Sequence, residues 1–112
     1  MRIAIPVQDD VLAAHFGHCP EFALTDVDPQ SRAVTGERRV AAPPHEPGLL
    51  PRWLAEQGAT HIIAGGMGQR ALDLFASHEI AVVIGAPQAA PQELVRQFLD
   101  GSLSTSGNPC DH

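Results

Sequence analysis

The order of apolar runs in this 112-residue chain predicts an α/β domain whose sheet is antiparallel in its first half and parallel in its second. Three observations point there. Short β-branched runs separated by turn residues dominate up to residue 40, helical periods alternate with short apolar runs after it, and a proline-rich segment divides the two styles.

Ile3, Ala4, Ile5, Pro6 and Val7 form a short apolar run that reads as a buried first strand. Pro6 points to an edge or a strand end, because proline cannot donate to a ladder. Residues 8–20 then read as a loop. Residues 21–28 alternate as a strand, with Phe22 and Leu24 on one side and Ala23, Thr25 and Val27 on the other. Asp28, Pro29, Gln30 and Ser31 make a turn, since proline presets φ and the aspartate can accept from its own backbone. Residues 33–40 return as the second arm of a hairpin, and Glu37, Arg38 and Arg39 suit an exposed edge.

The prolines at 43, 44 and 47 make residues 42–48 a stiff loop. Leu49, Leu50, Trp53 and Leu54 then recur with a helical period, and Gly58 stands where a left-handed cap is favoured. Residues 60–64 read as a strand, and residues 68–77 as a helix with Ala71, Leu72, Phe75 and Ala76 inward. Residues 80–84 are a continuous apolar strand. Pro91 opens a last helix with Leu94, Val95, Phe98 and Leu99 facing the core, and Gly101 ends it. The domain thus covers residues 1–101, and residues 102–112 form a flexible tail containing Cys110 and His112.

Composition narrows the function classes. A formal charge of −6, with Arg38 and Arg39 as the only adjacent basic pair, disfavours a general nucleic-acid binder, which needs clustered cations on phosphates. No run approaches the ~20 apolar residues of a membrane span, and the amino terminus lacks the plan of a signal peptide. A cytoplasmic protein with no membrane partner is expected. In a reducing compartment two cysteines suggest a metal or redox role, although a disulfide between Cys19 and Cys110 is an alternative.

The densest ligand chemistry lies at His15, Phe16, Gly17, His18 and Cys19. Imidazole and thiolate are borderline and soft donors, suited to zinc, copper, iron or iron-sulfur species and poorly suited to magnesium or calcium. The segment supplies at most three ligands, so an open or shared site fits better than a closed structural zinc site. The bland alternative is a surface loop in which Phe16 anchors to the core. Gly65, Gly66, Met67 and Gly68 precede the second helix, where backbone N–H groups can converge on an anion, with Arg70 nearby as a fixed charge. Tight-turn geometry explains those glycines equally well, and Met67 reads more readily as packing than as a thioether ligand. Cys110 and His112 could complete a shell begun by the Cys19 loop. His45 on the proline loop could face the site or solvent, and His61 and His78 read as structural. Asp9 and Asp10 read as a solvated turn, or as acceptors for a ligating imidazole. Nucleophilic and paired-acid catalytic sets are missing, so an enzyme is not expected.

The order of these motifs resembles the dinitrogenase iron-molybdenum cofactor biosynthesis family, which includes NifX, the core domain of NafY and the carboxyl-terminal domain of NifB. The resemblance rests on the first apolar strand, His15 to Cys19 leading into Phe22, the segment 44–48 with Leu50 to Leu54, and the turn at Gly65 to Gly68 before Ala71. It implies a three-layer, ribonuclease-H-like α/β fold with a mixed five-stranded sheet. It also implies that His15 is the cofactor-binding histidine and that Cys19 matches a cysteine found in some members. Small members hold other metal-sulfur species, so the implied cargo is an iron-sulfur or iron-molybdenum-type cluster exchanged with donor and acceptor proteins.

Two functional expectations follow. The first is a cluster carrier or store with His15 and Cys19 as direct ligands, His18, Cys110 and His112 as further candidate metal ligands, and backbone donors at Gly66, Met67 and Gly68. The second is a redox or metal-sensing module using Cys19 and Cys110. A nuclease, suggested by the fold alone, is weakest, because its two-metal chemistry needs converging carboxylates that the sequence does not present.

Overall fold

The computed structural model describes residues 1–14, 16, 17, 19–44, 46, 48–103 and 105. His15, His18, His45, Cys110 and His112 lie outside the described residues.

Among the described residues six strands and three helices follow one another as β1 (Arg2–Gln8), β2 (Val11–Leu12), β3 (Glu21–Val27), β4 (Val34–Ala41), α1 (Leu49–Glu56), β5 (His61–Ile63), α2 (Gln69–Ser77), β6 (Ala81–Val83) and α3 (Pro91–Asp100). The sheet runs in the order β4-β3-β1-β5-β6, with β2 added to β1. β2, β3 and β4 pair antiparallel and β5 and β6 parallel, as the two styles of sequence predict. The mixed five-stranded sheet is therefore present, extended by one short strand.

That extra strand corrects the reading of residues 8–20 as loop throughout. Val7 pairs with Leu12 and Gln8 with Val11, which leaves Asp9 and Asp10 as a two-residue connection with φ of 54° and 64°. Positive φ at both central residues is the hairpin turn whose twist matches its strands, and aspartate tolerates it better than most residues.

Pro6 also departs from expectation, because β1 is central in the sheet. Its carbonyl accepts from the Ala13 N–H at 2.9 Å, so the backbone edge of Pro6 faces away from β3. Parallel pairing with β5 has already ended at Ala4, so the missing donor interrupts no bond to β5.

Side chains leave the sheet on both faces into two cores. Ala4, Phe22, Leu24 and Ile62 pack with Leu54 of α1 and Phe75 of α2, whereas Ile3, Ile5, Ala23 and Ile63 pack with Leu94 and Val95 of α3. Each such aliphatic or aromatic side chain stabilises the fold by about 1.5–3 kcal/mol when fully buried. The result is the expected three-layer arrangement. Ala76 corrects the predicted inward face of α2, for it is exposed, while Ala71 and Leu72 are half-buried and Phe75 fully buried.

Three contacts fix the ends of the elements. Arg2 bridges β1 to Asp26 of β3 at 2.6 Å and donates to the carbonyl of Gln57, just past α1, where Gly58 turns the chain with φ 81°. Pro91 opens α3, and Gly101 with φ 80° closes it. Beyond that cap Leu103 packs back on the second core.

Candidate functional site

The loop following β2, the amino terminus of α1 and the amino terminus of α2 meet around a cleft of about 240 Å³. Phe16, Leu50, Pro51, Ala71 and Leu74 give it apolar walls, Gly17, Gly48 and Gly68 bring backbone to its surface, and Glu46 and Arg70 supply charge. α2 begins just after the carboxyl end of β5, the position where open α/β sheets collect ligands.

Phe16 holds the loop in place. Its ring meets Phe75 edge-on with centroids 5.5 Å apart and Phe22 at 6.4 Å, and Phe22 in turn lies 5.6 Å from Trp53. Edge-to-face pairs of this kind contribute about 0.5–1.5 kcal/mol beyond burial. The predicted anchoring role of Phe16 is thus observed, and the same ring is also a wall of the cleft. Gly17 follows with φ 98°, a conformation that a side chain would strain.

The glycines before α2 behave differently. None of Gly65, Gly66 and Gly68 has positive φ, so no left-handed backbone requires glycine at these positions. Gly68 has φ −70° and ψ 158°, and a Cβ built there meets no atom within 4 Å. It leaves open room beside the cleft. No side chain caps α2, and the bond from Leu72 N–H to the Gly68 carbonyl at 3.1 Å closes its first turn. Of the three residues predicted as backbone donors, Gly68 lines the cleft, whereas Gly66 and Met67 are buried and absent from its lining. Met67 packs in the first core, as its softer reading predicted.

Cys19 lies beneath the loop, not in the cleft wall. It is 9% exposed, belongs to the apolar cluster of Phe22 and Phe75, and burial pushes its thiol up to about 11. Backbone hydrogen bonds at Cys19 and Gly17 oppose that shift without cancelling it. Among the described residues no group of three His, Cys, Asp or Glu side chains is placed to hold a metal ion. His15, His18, His45, Cys110 and His112 are not among them.

His61 and His78 stand away from the cleft. The His61 ring packs on Phe98 at 5.7 Å with Nδ1 2.8 Å from Thr60 Oγ1, and His78 is exposed at the end of α2. Both fit the structural reading. Among the described residues no helix is long and apolar enough to cross a membrane.

The cleft draws on Glu46, Gly48, Leu50 and Pro51, which belong to the segments that carry the family resemblance but were not expected as site residues, and on Leu74, which the sequence reading did not single out. Gly48, with φ 78° ahead of α1, was the available signal, because a glycine closing a proline-rich loop marks a forced backbone.

Residues 1–101 match the family model for dinitrogenase iron-molybdenum cofactor proteins. The chain belongs to that family. Its fold is shared with the crystal structure of PH0822, which is 31% identical over 95% of both chains with a TM-score of 0.86. The apo form of the orange protein from Desulfovibrio gigas is 24% identical over 96% of this chain and 94% of its own, with a TM-score of 0.71. A dinitrogenase candidate from Methanocaldococcus jannaschii is 17% identical over 97% of both chains, with a TM-score of 0.74. At these lower identities the last two speak to the fold alone. No curated protein matches the chain.

Proposed function

We propose that the cleft beside Phe16 and Gly17 takes up a metal-sulfur cluster of iron-sulfur or iron-molybdenum type, and that the protein carries or stores it during metallocofactor assembly. The observation that supports this reading most is the position of the cleft. It opens against the two residues that follow His15 in the chain, so the loop richest in soft donors forms one of its walls. Family membership supports the general role in iron-molybdenum cofactor biosynthesis.

In this reading residues 1–101 form the cluster-binding unit and residues 102–112 an accessory tail. His15 is the preferred direct ligand and His18 the next, with Cys110 and His112 able to join from the tail. Gly17, Gly48 and Gly68 let the cargo approach backbone closely, and Phe16 holds the loop in register. One soft ligand with several non-covalent contacts grips a cluster loosely enough for transfer from a donor protein to an acceptor, a binding role and not a catalytic one. Cys19 supports the loop from below by packing. A redox module built on Cys19 and Cys110 gains less support, since the Cys19 side chain is buried among apolar neighbours.

Anaerobic incubation with iron and sulfide, followed by desalting, tests the reading. Visible absorption retained by the wild type should fall sharply in His15→Ala and further in the His15→Ala, His18→Ala double variant. Equal absorption in wild type and double variant would overturn the ligand assignment.

A further inference from the structure

We infer that Arg70 supplies the local positive charge by which the cleft holds an anionic cluster. This rests on the cargo reading above and names a residue that determines how tightly that cargo is held.

At −6 the protein as a whole repels anions, so an anionic ligand needs a local positive charge at its site. Of the seven cationic side chains four are held in ion pairs, and of Arg32, Arg38 and Arg70 only Arg70 lines the cleft. Arg2 is bound to Asp26, Arg39 to Glu21 at 2.9 Å and to Asp10 at 3.6 Å, Arg52 stands 3.9 Å from Glu56, and Arg96 holds Glu93 and Asp100. Arg70 lines the cleft and forms no ion pair or side-chain hydrogen bond among the described residues.

Its surroundings strengthen that free charge. Apolar walls at Phe16, Leu50 and Leu74 exclude water from one side, which raises the effective interaction with an ion in the cleft. The planar guanidinium offers several donors in a fixed fork, suited to a ligand presenting several sulfur acceptors on one face. Among the described residues Glu46 is the only carboxylate in the cleft lining.

The test uses the full chain under anaerobic conditions with three probes. Two are dianions, a synthetic cubane iron-sulfur cluster capped by small thiolates and tetrathiomolybdate, and the third is ferrous iron alone. Binding is read from quenching of Trp53, the only tryptophan, and circular dichroism confirms that each variant folds. Arg70→Gln should bind both dianions at least about tenfold more weakly, a typical loss for a charge-assisted contact, while Arg70→Lys stays within a few fold of wild type. Added salt should weaken dianion binding to the wild type more than to Arg70→Gln, and whatever ferrous iron binds should be the same in all three. Dianion binding by Arg70→Gln equal to that of the wild type would overturn the role of Arg70 and leave the cargo reading standing. A wild type that binds neither dianion would overturn both.

Discussion

Phe16 and Phe75 meet edge to face with ring centroids 5.5 Å apart, joining the loop that carries the soft donors to the helix that carries Arg70. This contact makes one side of the cleft depend on the other. Phe16→Leu keeps most of the apolar area and loses the ring pairing, so it should cost about 1 kcal/mol in urea unfolding followed by Trp53 emission. Phe16→Ala should cost more, about 2 kcal/mol, because the ring is only half-buried and the cavity left behind opens to solvent. Cluster binding should weaken in both variants, and unchanged binding in Phe16→Ala would separate the loop from the cargo site.

The parts of the fold that were legible in the sequence are those whose burial follows a local period. Phe22 and Leu24 opposite Ala23 and Val27, and Leu94 and Val95 on one face of α3, reach the predicted cores because alternation or helical spacing already sorts them. Pro6 misled because its consequence depends on which neighbour its backbone edge faces, a tertiary fact. β2 was too short to carry a pattern, and alanine at 76 carries too little apolar weight to fix a helix face. The cleft was half legible. Phe16, Gly17 and Gly68 stood in segments that announced themselves by composition, but Glu46, Leu50 and Leu74 join them only when α1 and α2 pack side by side.

Thr25 presents a buried hydroxyl that finds no hydrogen-bond partner among the described residues, at 2% exposure in β3. An unpaired buried hydroxyl costs about 1–3 kcal/mol, and valine has nearly the same shape without it. Thr25→Val should therefore stabilise the protein by about 1 kcal/mol, which for a chain of this size raises Tm by roughly 4 °C. Thr25→Ser keeps the hydroxyl and removes a packed methyl, so its Tm should fall. A Tm for Thr25→Val at or below that of the wild type would show that the hydroxyl is satisfied in solution.

His61 should make stability depend on pH in one direction. Burial against Phe98, helped by the nearby amino-terminal ammonium, holds the folded imidazole below its ordinary 6.5. The unfolded chain therefore takes up the proton first as the pH falls. The stability tied to a neutral His61 is complete above about pH 6.5, declines as the pH drops toward the folded value, and levels off below it. His61→Gln should flatten this part of a Tm-against-pH curve and leave the contributions of the other histidines. Parallel curves for wild type and variant would remove His61 as the cause.

Glu46 opposes Arg70 within the same lining. Glu46→Gln should tighten binding of the cubane dianion by about two- to fivefold at low salt, the scale of one exposed charge interaction, and the gain should shrink as salt is added. Weaker binding in Glu46→Gln would mean that the carboxylate contacts the cargo through a bridging cation instead of repelling it.

Gly68 offers the sharpest separation of stability from function. Its φ of −70° and ψ of 158° suit any residue, a side chain there meets open space, and α2 lacks a capping side chain. Aspartate is among the best residues for that position, because its carboxylate accepts from the first-turn amides and faces the positive end of the helix. Gly68→Asp should accordingly raise stability by up to about 1 kcal/mol in urea unfolding. The same carboxylate would occupy the amides, fill room in the cleft and compensate the Arg70 charge, so uptake of the cubane dianion should be lost. Gly68→Ser caps without charge, and should stabilise while weakening uptake less. A protein left without the obvious capping residue beside a free arginine is one in which the anion-binding end of the helix is kept open for cargo, and full uptake by a stabilised Gly68→Asp variant would refute that account.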